Sequence, residues 1–480
     1  MNLRSVFLIL GKIVFLVGLV MLIPVAIALI YGEGIWSTYL AVALFTAAIG
    51  SLSFVAKKKK LTVRAREGLA IAGLVWIIVS FIGALPFWIS GEIPSLIDAV
   101  FETVSGFTTT GSTILLDIEA LSHASLFWRS FTHWIGGMGV LVLALALLPG
   151  NDTQSMHIMR AEVPGPTVGK LVSRIRVTAR ILYIIYIALT VLEIGFLLIG
   201  GMPLFDSIVT SFATAGTGGF AIKNASIAAY NSAYIDIVIT LFMLLFSVNF
   251  TLYYMILLGQ FKTAVKSEEL RWFGGIVFVA IALITIDILP LYDGFFEALR
   301  YSSFQVASIV STTGFITANY DLWPTFSQTV LVGLMFIGAC AGSTGGGVKV
   351  YRVVVICKTA FANVRRQLFP RTVAPLKHEG KLLDNEVKSG ITGYMFAYII
   401  IGTVSTLLIA LDNLNFSEAF TAMAACLNNI GPGLGSIGAV GNFSHLSNLS
   451  KIVLIFDMLA GRLELFPILA IFYPTAWKKG

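Results

Sequence analysis

The stretch SGFTTTGS, at residues 105–112, ends an apolar segment in a turn rich in Thr and Gly. Three later stretches end in similar turns: ATAGTGGF at 213–220, IVSTTGFI at 309–316 and NNIGPGLG at 428–435. An acid precedes each in a similar apolar context, and these acids are Asp98, Asp206, Glu297 and Glu418. One unit repeated four times in a single chain is the arrangement expected when one polypeptide surrounds a central pore.

The composition places this chain in a membrane. Hydrophobic residues make up 57% of the 480 residues and charged residues only 12%, whereas a soluble domain is about 25% charged. The net charge of +7 is spread over short loops, so it indicates topology and not a nucleic-acid surface. Cys340, Cys357 and Cys426 lie in or beside apolar segments without CxxC spacing, and we expect them to be inert core residues.

Ten apolar segments are long enough to cross a bilayer, which takes roughly 20 residues. They lie at about 6–30, 35–55, 68–90, 126–149, 180–200, 235–258, 273–291, 326–348, 390–411 and 451–473. Four segments, at about 96–109, 203–216, 295–311 and 416–429, are too short to cross and are broken by Gly and Pro. Irregular backbone is tolerated at membrane depth only inside protein or beside water, so we interpret these four as re-entrant pore helices.

The predicted fold is an all-α membrane protein with ten transmembrane helices plus four re-entrant pore helices. Residues 1–56 are predicted to form two extra N-terminal transmembrane helices. Four pseudosymmetric repeats, each consisting of a helix, a pore helix and a second helix, are predicted to surround one pore at 67–150, 173–262, 270–358 and 388–475.

Lysine and arginine indicate the orientation of the spans. They collect in the loops after the even-numbered spans and in the tail, at Lys57, Lys58, Lys59, Lys60, Arg64, Arg66, Arg160, Lys170, Arg174, Arg176, Lys262, Lys266, Arg271, Arg365, Arg366, Arg371, Lys377, Lys381, Lys388, Lys478 and Lys479. The opposite side holds only Lys223 and Arg300. By the positive-inside rule both termini are cytoplasmic and all four turns lie outside. Acids on the outer side, such as Glu92, Asp117 and Asp321, would concentrate cations there.

The four turns have the composition of a cation filter. An acid in the first turn of each pore helix would complement the positive end of the helix dipole, and the negative C-terminal end would face the pore. Glycine permits the backbone conformation that exposes carbonyl oxygens in a row, and four such turns can replace the hydration shell of a potassium ion. Aligning TTGS, TGGF, TTGF and GPGL puts Gly111, Gly219, Gly314 and Gly433 at one level.

Five motifs make the chain resemble the Trk/Ktr/HKT superfamily of potassium transporters, specifically its bacterial TrkH type. They are FWRSFTHWIGGMG at 127–139, STTGF at 311–315, GACAGSTGGGVKVYR at 338–352, CLNNIGPGLG at 426–435 and AGRLELF at 460–466. The resemblance covers essentially the whole chain, including the two extra N-terminal spans that the leaner Ktr-type subunits lack. The second repeat, TAGTGGF, is the loosest match.

The resemblance implies a pore-forming subunit for potassium uptake whose filter residues bind the ion. The implied filter comprises Thr109, Thr110, Gly111, Thr217, Gly218, Gly219, Thr312, Thr313, Gly314, Gly431, Pro432 and Gly433. Gly111 favours potassium, because a serine at the matching position in plant relatives is associated with sodium transport. The resemblance also implies a bacterial inner-membrane homodimer in contact with lipid, regulated by a cytoplasmic nucleotide-binding TrkA-type subunit. No organic cofactor is expected in this chain.

A run of small residues interrupts the eighth span at Gly342, Ser343, Thr344, Gly345, Gly346 and Gly347. Each Gly in a helix interior costs roughly 1 kcal/mol relative to Ala, so this run is a poor helix. In the family, the matching stretch is a flexible gate loop beneath the filter. The alternative is a close helix crossing through small residues.

Four cationic side chains lie near these features. Lys349 and Arg352 either anchor the inner end of a span or line an inner vestibule. Arg462 lies mid-span, where an ionisable residue is expected to be functional; the resemblance places it near the pore, as an electrostatic barrier or a brace for the gate loop, with a structural salt bridge as the alternative. Glu464 lies on another helix face. Arg129 is expected to support a pore helix, with Glu102 as its partner.

A proton- or sodium-coupled cation symporter is the alternative function. A secondary transporter would show inverted repeats and a midplane site with broken helices, whereas the four repeats here share one orientation; proton coupling within this pore stays open. An enzyme is not expected, because the spans show neither paired catalytic residues nor metal-ligand spacing.

Overall fold

The computed structural model of the chain describes residues 1–55, 64–140, 142, 175–370 and 375–477. Some predictions lie outside these residues. They are the end of the fourth predicted span, the repeat boundaries at 56, 150 and 173, and the loop cations Lys57, Lys58, Lys59, Lys60, Arg160, Lys170, Arg174, Arg371, Lys478 and Lys479.

Two N-terminal elements pack against each other. The first consists of the helices Leu3–Val20 and Leu22–Ile30, and the second is the helix Trp36–Val55. They approach closely at glycines, since a Cβ atom at Gly18 would lie 2.6 Å from the backbone nitrogen of Ala47. Small residues at helix crossings allow such close packing in membranes.

The rest of the described chain repeats one order of helices four times. A long helix comes first, at Ala65–Ser90, Ile175–Ile199, Glu268–Ile288 and Asn385–Ile409. A short helix follows, at Leu96–Phe107, Leu204–Gly216, Phe295–Val310 and Phe416–Leu427. A second helix then begins, at His123–Met138, Ala233–Phe246, Thr325–Ile337 and Asn448–Arg462. The four short helices match the predicted re-entrant segments closely in position and length.

The predicted acidic residues lie at the N-terminal ends of the short helices. Asp98, Asp206, Glu297 and Glu418 each lie in the first helical turn, three residues after the residue that caps the helix. A carboxylate there accepts from free backbone N–H groups and complements the helix dipole. The C-terminal half of each short helix is buried, so its negative end is directed into the interior of the protein.

The second helices are all broken, which the sequence did not predict for most of them. They contain 13 to 16 residues, too few to cross a bilayer alone. The segment predicted at 235–258 bends by 90° between Phe246 and Phe250. The segment predicted at 326–348 leaves the helix after Ile337, and the one at 451–473 is interrupted at Leu463 and resumes as Phe466–Ile471.

The ten predicted spans are therefore not all continuous helices. Six helices of the described chain are long and apolar enough to cross a membrane, or seven if the bent pair counts as one span. Their outward faces expose large apolar side chains, for example Phe278, Ile286, Phe396 and Leu407, each more than 65% exposed. Such faces fit a hydrocarbon surrounding and not water.

The remaining elements are short. The helices Phe250–Leu257, Phe261–Val265 and Val350–Leu368 lie at the C-terminal ends of the second and third repeats. Strands Lys377–His378 and Lys381–Leu382 form an antiparallel hairpin, called the hairpin below. Single turns of 3₁₀-helix lie at Ser226–Tyr230, Leu289–Leu291, Tyr320–Leu322, Ala410–Asp412, Gly435–Ile437 and Pro474–Trp477. Cys340 and Cys426 are buried as expected, but Cys357 is exposed because it lies on the outward face of Val350–Leu368.

Candidate functional site

The four short helices end in the same backbone conformation. Near each end, one residue has φ between 55° and 61°, and a glycine two residues later has φ between 72° and 104°. The first set is Thr109, Thr217, Thr312 and Asn429, and the second is Gly111, Gly219, Gly314 and Gly431. We call these segments, 109–111, 217–219, 312–314 and 429–431, the four turns. A left-handed non-glycine residue costs about 1–3 kcal/mol, so the surrounding packing must hold each turn.

Backbone hydrogen bonds give the four turns one register. The nitrogens of Thr110, Gly218 and Thr313 donate to carbonyl oxygens of Ser105, Ala213 and Ser308, each over 2.9 Å. The nitrogen of Ile430 donates in the same way to Ala425, over 2.8 Å. The middle residues of the turns are therefore Thr110, Gly218, Thr313 and Ile430.

This register corrects the alignment of the fourth turn by two residues. The glycine equivalent to Gly111 is Gly431, not Gly433. The carbonyl oxygen of Gly433 accepts a hydrogen bond from Tyr320 Oη over 3.0 Å, and its nitrogen donates to Ile437. The sequence alignment favoured Gly-Pro-Gly at 431–433 as the fourth turn, whereas in the structure the turn is formed by Asn-Ile-Gly at 429–431. Asn429 can begin the turn because Asn tolerates the left-handed conformation better than most residues. Pro432 and Gly433 lie beyond the turn.

The four turns meet in a closed ring. A Cβ atom added at Gly111 would overlap the carbonyl oxygen of Gly218, one at Gly219 that of Thr313, and one at Gly314 that of Ile430. At Gly431 it would lie 2.8 Å from the carbonyl oxygen of Thr110. Each glycine thus packs against the middle carbonyl of the next turn, and the fourth turn packs against the first.

The carbonyl oxygens of these middle residues accept no hydrogen bond from any residue that the structure describes. They belong to Thr110, Gly218, Thr313 and Ile430, all four of which are buried. Buried carbonyl oxygens are nearly always paired in proteins. Four unpaired ones on neighbouring turns form a site with the chemistry to hold a cation.

Side chains behind the ring tie the turns to one another. Ser112 Oγ donates to the carbonyl oxygen of Gly431 over 2.9 Å, and Asn429 Nδ2 donates to Thr110 Oγ1 over 2.9 Å. Asn429 Nδ2 also reaches the carbonyl oxygen of Met458 in the last repeat, over 2.9 Å. The fourth turn is therefore joined to the first by side chains as well as by packing.

Arg129 supports the first and second turns through a buried ion pair. Its guanidinium lies 2.7 Å from Glu102 Oε1, and both side chains are at most 1% exposed. Glu102 Oε2 accepts from the nitrogen of Ile114, just after the first turn. Arg129 also donates to the carbonyl oxygen of Ala221, after the second turn, over 3.1 Å. The predicted pairing of Arg129 with Glu102 is confirmed.

A non-helical segment at 338–349, which contains the run from Gly342 to Gly347, lies directly under the third and fourth turns. We call it the glycine-rich segment. The nitrogen of Gly346 donates to Thr312 Oγ1 over 2.6 Å, and that of Gly347 donates to the carbonyl oxygen of Asn428 over 3.0 Å. Within the segment, Thr344 Oγ1 donates to the carbonyl oxygen of Phe246 over 3.1 Å. The predicted interruption of the eighth span is present, and it is not a helix crossing.

Three cationic side chains hold carbonyl oxygens of this segment. Lys349 Nζ donates to Gly345, Arg462 donates to Thr344 over 2.8 Å, and Arg352 donates to Val348 over 3.0 Å. Arg462 also donates to the carbonyl oxygens of Gly136 and Gly137, in the first repeat. With the glycine-rich segment, Lys349 and Arg462 line a cavity of about 80 Å³.

Arg352 has an acidic partner. It forms an ion pair with Glu464, and both side chains are mostly buried. Glu464, which lies just beyond the end of the helix Asn448–Arg462, therefore pairs with Arg352, a partner that the sequence did not predict. Arg462 donates to the backbone carbonyl oxygens of Thr344, Gly136 and Gly137, which fits the expected brace for the glycine-rich segment.

Some residues of the site are absent from the sequence predictions. Asn429 and Ile430 were missed because they break the Thr-Gly pattern, although an Asn before a Gly is a signal for left-handed backbone. Glu193 and Asp457 are fully buried within helices, and among the described residues both oxygens of Glu193 and Oδ2 of Asp457 have no hydrogen-bond partner. An acid in an apolar span was the signal for these two.

Comparison with known proteins gives one consistent result. A family model described as TrkH, cation transport protein, matches residues 37–478. The Trk system potassium uptake protein TrkH of Escherichia coli strain K12 is 38% identical over 486 residues, covering 100% of both chains. Its counterpart in Salmonella typhimurium is 37% identical over the same length, also with 100% coverage of both.

A solved structure has the same fold. The crystal structure of the potassium transporter TrkH from Vibrio parahaemolyticus superposes with a TM-score of 0.90. It is 33% identical in sequence and covers 100% of both chains. The overall fold described above is thus shared with a solved potassium transporter.

Proposed function

The chain belongs to the TrkH family of cation transport proteins, which are transporters and not enzymes, and we propose that it takes up potassium through a pore at the ring of four turns. The observation that carries this proposal is the set of four unpaired carbonyl oxygens at Thr110, Gly218, Thr313 and Ile430. Relatives named for potassium uptake support potassium as the transported ion. The protein is a multi-pass membrane protein.

The ring favours a cation for physical reasons. An ion that enters a narrow passage loses water, and carbonyl oxygens at suitable positions replace that hydration shell. Four short helices end at the ring, and the C-terminal end of a helix carries a partial negative charge. The acids at the opposite ends of these helices stabilise the helices without placing a full charge beside the ion.

The proposed filter uses three residues from each turn. They are Thr109, Thr110, Gly111, Thr217, Gly218, Gly219, Thr312, Thr313, Gly314, Asn429, Ile430 and Gly431. Pro432 and Gly433 act in this proposal only as support behind the fourth turn, because the Gly433 carbonyl is already held by Tyr320. The glycines allow the approach of each neighbouring carbonyl, which any side chain would block.

The glycine-rich segment is the proposed gate. It lies under the third and fourth turns, and Lys349 and Arg462 place positive charge in the same cavity. A cation leaving the ring would meet both the segment and this charge. Movement of the segment would remove the carbonyl contacts that keep Arg462 and Lys349 in the path, so opening and loss of the barrier would occur together.

The charges of the loops support an orientation, and the resemblance to Trk-type proteins supports an assembly. We propose that both termini are cytoplasmic and that the protein lies in a bacterial inner membrane, with the four turns on the outer side. We further propose a homodimer in lipid, regulated by a cytoplasmic nucleotide-binding TrkA-type subunit. The basic helix end at Arg365 and Arg366 and the hairpin with Lys377 and Lys381 are the proposed docking region, since all four side chains are exposed.

A proton-coupled symporter is the second candidate. It is favoured by Glu193 and Asp457, the two carboxyls buried in helices beside the short helices. A symporter of this kind would move potassium faster under an inward proton gradient and would lose that response in Glu193→Gln or Asp457→Asn. A channel would show the same potassium flux with and without the gradient.

Ion flux through purified protein in liposomes tests the proposed function. Potassium flux is expected to exceed sodium flux in the wild type, and Gly111→Ser is expected to reduce the preference because its side chain would meet the Gly218 carbonyl. Gly34→Ser is the matched control, since Gly34 is exposed and has open space around it. Equal potassium and sodium flux in the wild type would overturn the proposal.

A further inference from the structure

The carboxylate of Glu269 joins the two ends of the glycine-rich segment. Glu269 lies in the first turn of the helix Glu268–Ile288 and is 7% exposed. Its Oε1 accepts from the nitrogen of Ala341, over 2.7 Å, and from the nitrogen of Tyr351, over 3.2 Å. Ala341 directly precedes Gly342, and Tyr351 is the second residue of the helix that follows the segment. One oxygen atom therefore ties the backbone before the glycine run to the backbone after it.

The hydrogen bond from Ala341, at 2.7 Å, has the short length of a charge-assisted bond, and the bond from Tyr351 is longer, at 3.2 Å. A carboxylate accepting from backbone N–H groups makes bonds about twice as strong as those between neutral groups. The nitrogen of Tyr351 lies in the first turn of its helix, where N–H groups have no partner within the helix. Since Glu269 is buried, water does not easily replace it, so loss of the carboxylate would leave both nitrogens poorly satisfied.

Glu269 is held in turn by the hairpin. Glu379, in the turn of the hairpin, accepts through Oε1 from the nitrogens of Glu268 and Glu269, over 2.8 and 3.2 Å, and from Ser267 Oγ, over 2.8 Å. Lys358, on the helix after the segment, forms an ion pair with Glu268 and donates to the carbonyl oxygen of Lys377. Two carboxylates in series thus connect the hairpin to the glycine-rich segment.

We propose that Glu269 is a positioning residue that keeps the glycine-rich segment in its closed arrangement, and that Glu379 transmits the position of the hairpin to it. This rests on the proposed function, in which the segment is the gate. The segment is held to the third and fourth turns at Gly346 and Gly347, and Glu269 holds it from its ends. Displacing the hairpin removes Glu379 from the helix start and loosens the attachment of Glu269.

The test uses the full chain with Glu269→Ala, Glu269→Gln and Glu379→Gln. Glu386→Gln is the matched control, because Glu386 is an exposed glutamate in the first turn of the corresponding helix of the next repeat. One readout is rubidium flux in liposomes. The other is the rate at which a water-soluble maleimide labels Ser343→Cys in detergent, in a Cys357→Ser background, where the two remaining native cysteines are buried.

Glu269→Ala removes both hydrogen bonds and is expected to raise the labelling rate and the flux by about tenfold or more, because loss of a single charge-assisted hydrogen bond already corresponds to about that factor. Glu269→Gln, which keeps an acceptor oxygen but loses the charge, is expected to give a smaller rise, and Glu379→Gln a rise in the same direction. The preference for potassium over sodium stays at the wild-type value, which general damage to the turns would not allow. Glu386→Gln behaves as the wild type.

Wild-type labelling of Ser343→Cys in both Glu269 variants would overturn the positioning role, and Glu269→Gln carries that result if the alanine variant does not fold. Labelling reports the position of the segment whether or not the segment is a gate. Raised labelling with unchanged flux would therefore support the role of Glu269 and overturn the gate. A different result would separate the two proposals: Arg462→Ala raises the flux, while the Glu269 variants show wild-type labelling and wild-type flux. That result would support the gate and overturn the positioning role of Glu269.

Discussion

Gly431 packs against the carbonyl oxygen of Thr110, such that a Cβ atom at Gly431 would lie 2.8 Å from that oxygen and 3.1 Å from the carbonyl carbon of Gly111. The contact joins the last turn of the chain to the first. It closes a ring that the other three contacts leave open, and it identifies Asn429, Ile430 and Gly431 as the fourth member of the set. The function proposed for the ring depends on this closure.

Gly431→Ala is expected to abolish the preference for potassium over sodium. The added methyl group would press on the Thr110 carbonyl, and the φ of 104° at Gly431 is unfavourable for any side chain. The measurement is the ratio of potassium to sodium flux in liposomes.

Gly433→Ala is the companion variant. Its methyl group would meet the side chains of Ile437 and Thr421, not a neighbouring turn, so it is expected to lower stability and to keep the flux ratio. If Gly433→Ala loses the preference for potassium and Gly431→Ala keeps it, the fourth turn has the register of the sequence alignment, with Gly433 equivalent to Gly111.

Arg129→Ala is expected to lower the free energy of unfolding by about 3–5 kcal/mol, because it leaves the Glu102 carboxylate buried and unpaired. Lys223→Ala is the control, since Lys223 and Glu119 form an ion pair with side chains 40% and 45% exposed, and such pairs contribute less than about 1 kcal/mol. Titration with SDS in mixed micelles measures both values. Equal losses in the two variants would show that Arg129 has no special supporting role.

Arg462→Ala is expected to raise potassium flux, because it removes a positive charge from the cavity and the hydrogen bond to Thr344. Arg365→Ala, at an exposed arginine near the end of Val350–Leu368, is expected to leave flux of the purified protein unchanged. The comparison is made in liposomes at equal protein content. Lower flux in Arg462→Ala would indicate that Arg462 assists the passage of the ion or stabilises the open state.

The hairpin is expected to loosen as the pH falls below about 6.5. Burial lowers the pKa of His378 from its ordinary value of about 6.5, against the opposing effect of Glu268 and Glu379. The unfolded hairpin then binds a proton more readily than the folded one, so its stability is complete above that pH and is lost as the pH falls towards the lowered value.

Hydrogen exchange at the Leu383 nitrogen, which donates to the Leu376 carbonyl over 2.9 Å, measures this loss as a falling protection factor. His378→Phe keeps an aromatic ring against Tyr351, which lies 5.0 Å away between ring centroids, and should remove the pH dependence. The same dependence in His378→Phe would assign it to another group.

The short helices could be predicted from the sequence because local signals coincide there. Asp98 and Glu418, for example, each stand at the start of an apolar run of the right length and take the place that helix capping demands. The breaks in the second helices could be predicted only at the glycine run of the third repeat. At Ser247 and at Leu463 the break depends on contacts with distant residues, such as the bond from the Cys340 nitrogen to the Ser247 carbonyl.

The sequence predicts which segments form the turns of the site, but it does not predict which residues of the fourth turn match the others or which atoms are in contact. Three turns carry Thr and Gly, whereas the fourth carries Asn429 and Ile430, and only the shared hydrogen-bond register shows that they are equivalent. The pairing of Glu102 with Arg129 could be predicted, because Glu102 lies in the first short helix and Arg129 lies in the helix that follows it. Contacts such as Glu269 with Ala341 join residues that are distant in sequence, and no periodic pattern predicts them.

The central claim is that the four middle carbonyl oxygens bind the transported ion. The most direct measurement is anomalous scattering from crystals of the protein grown in rubidium. A rubidium peak is expected inside the ring, coordinated by the carbonyl oxygens of Thr110, Gly218, Thr313 and Ile430, and it should disappear in Gly431→Ala crystals. A map in which the ring is empty while rubidium occupies another site on the pathway would show that these oxygens do not bind the ion.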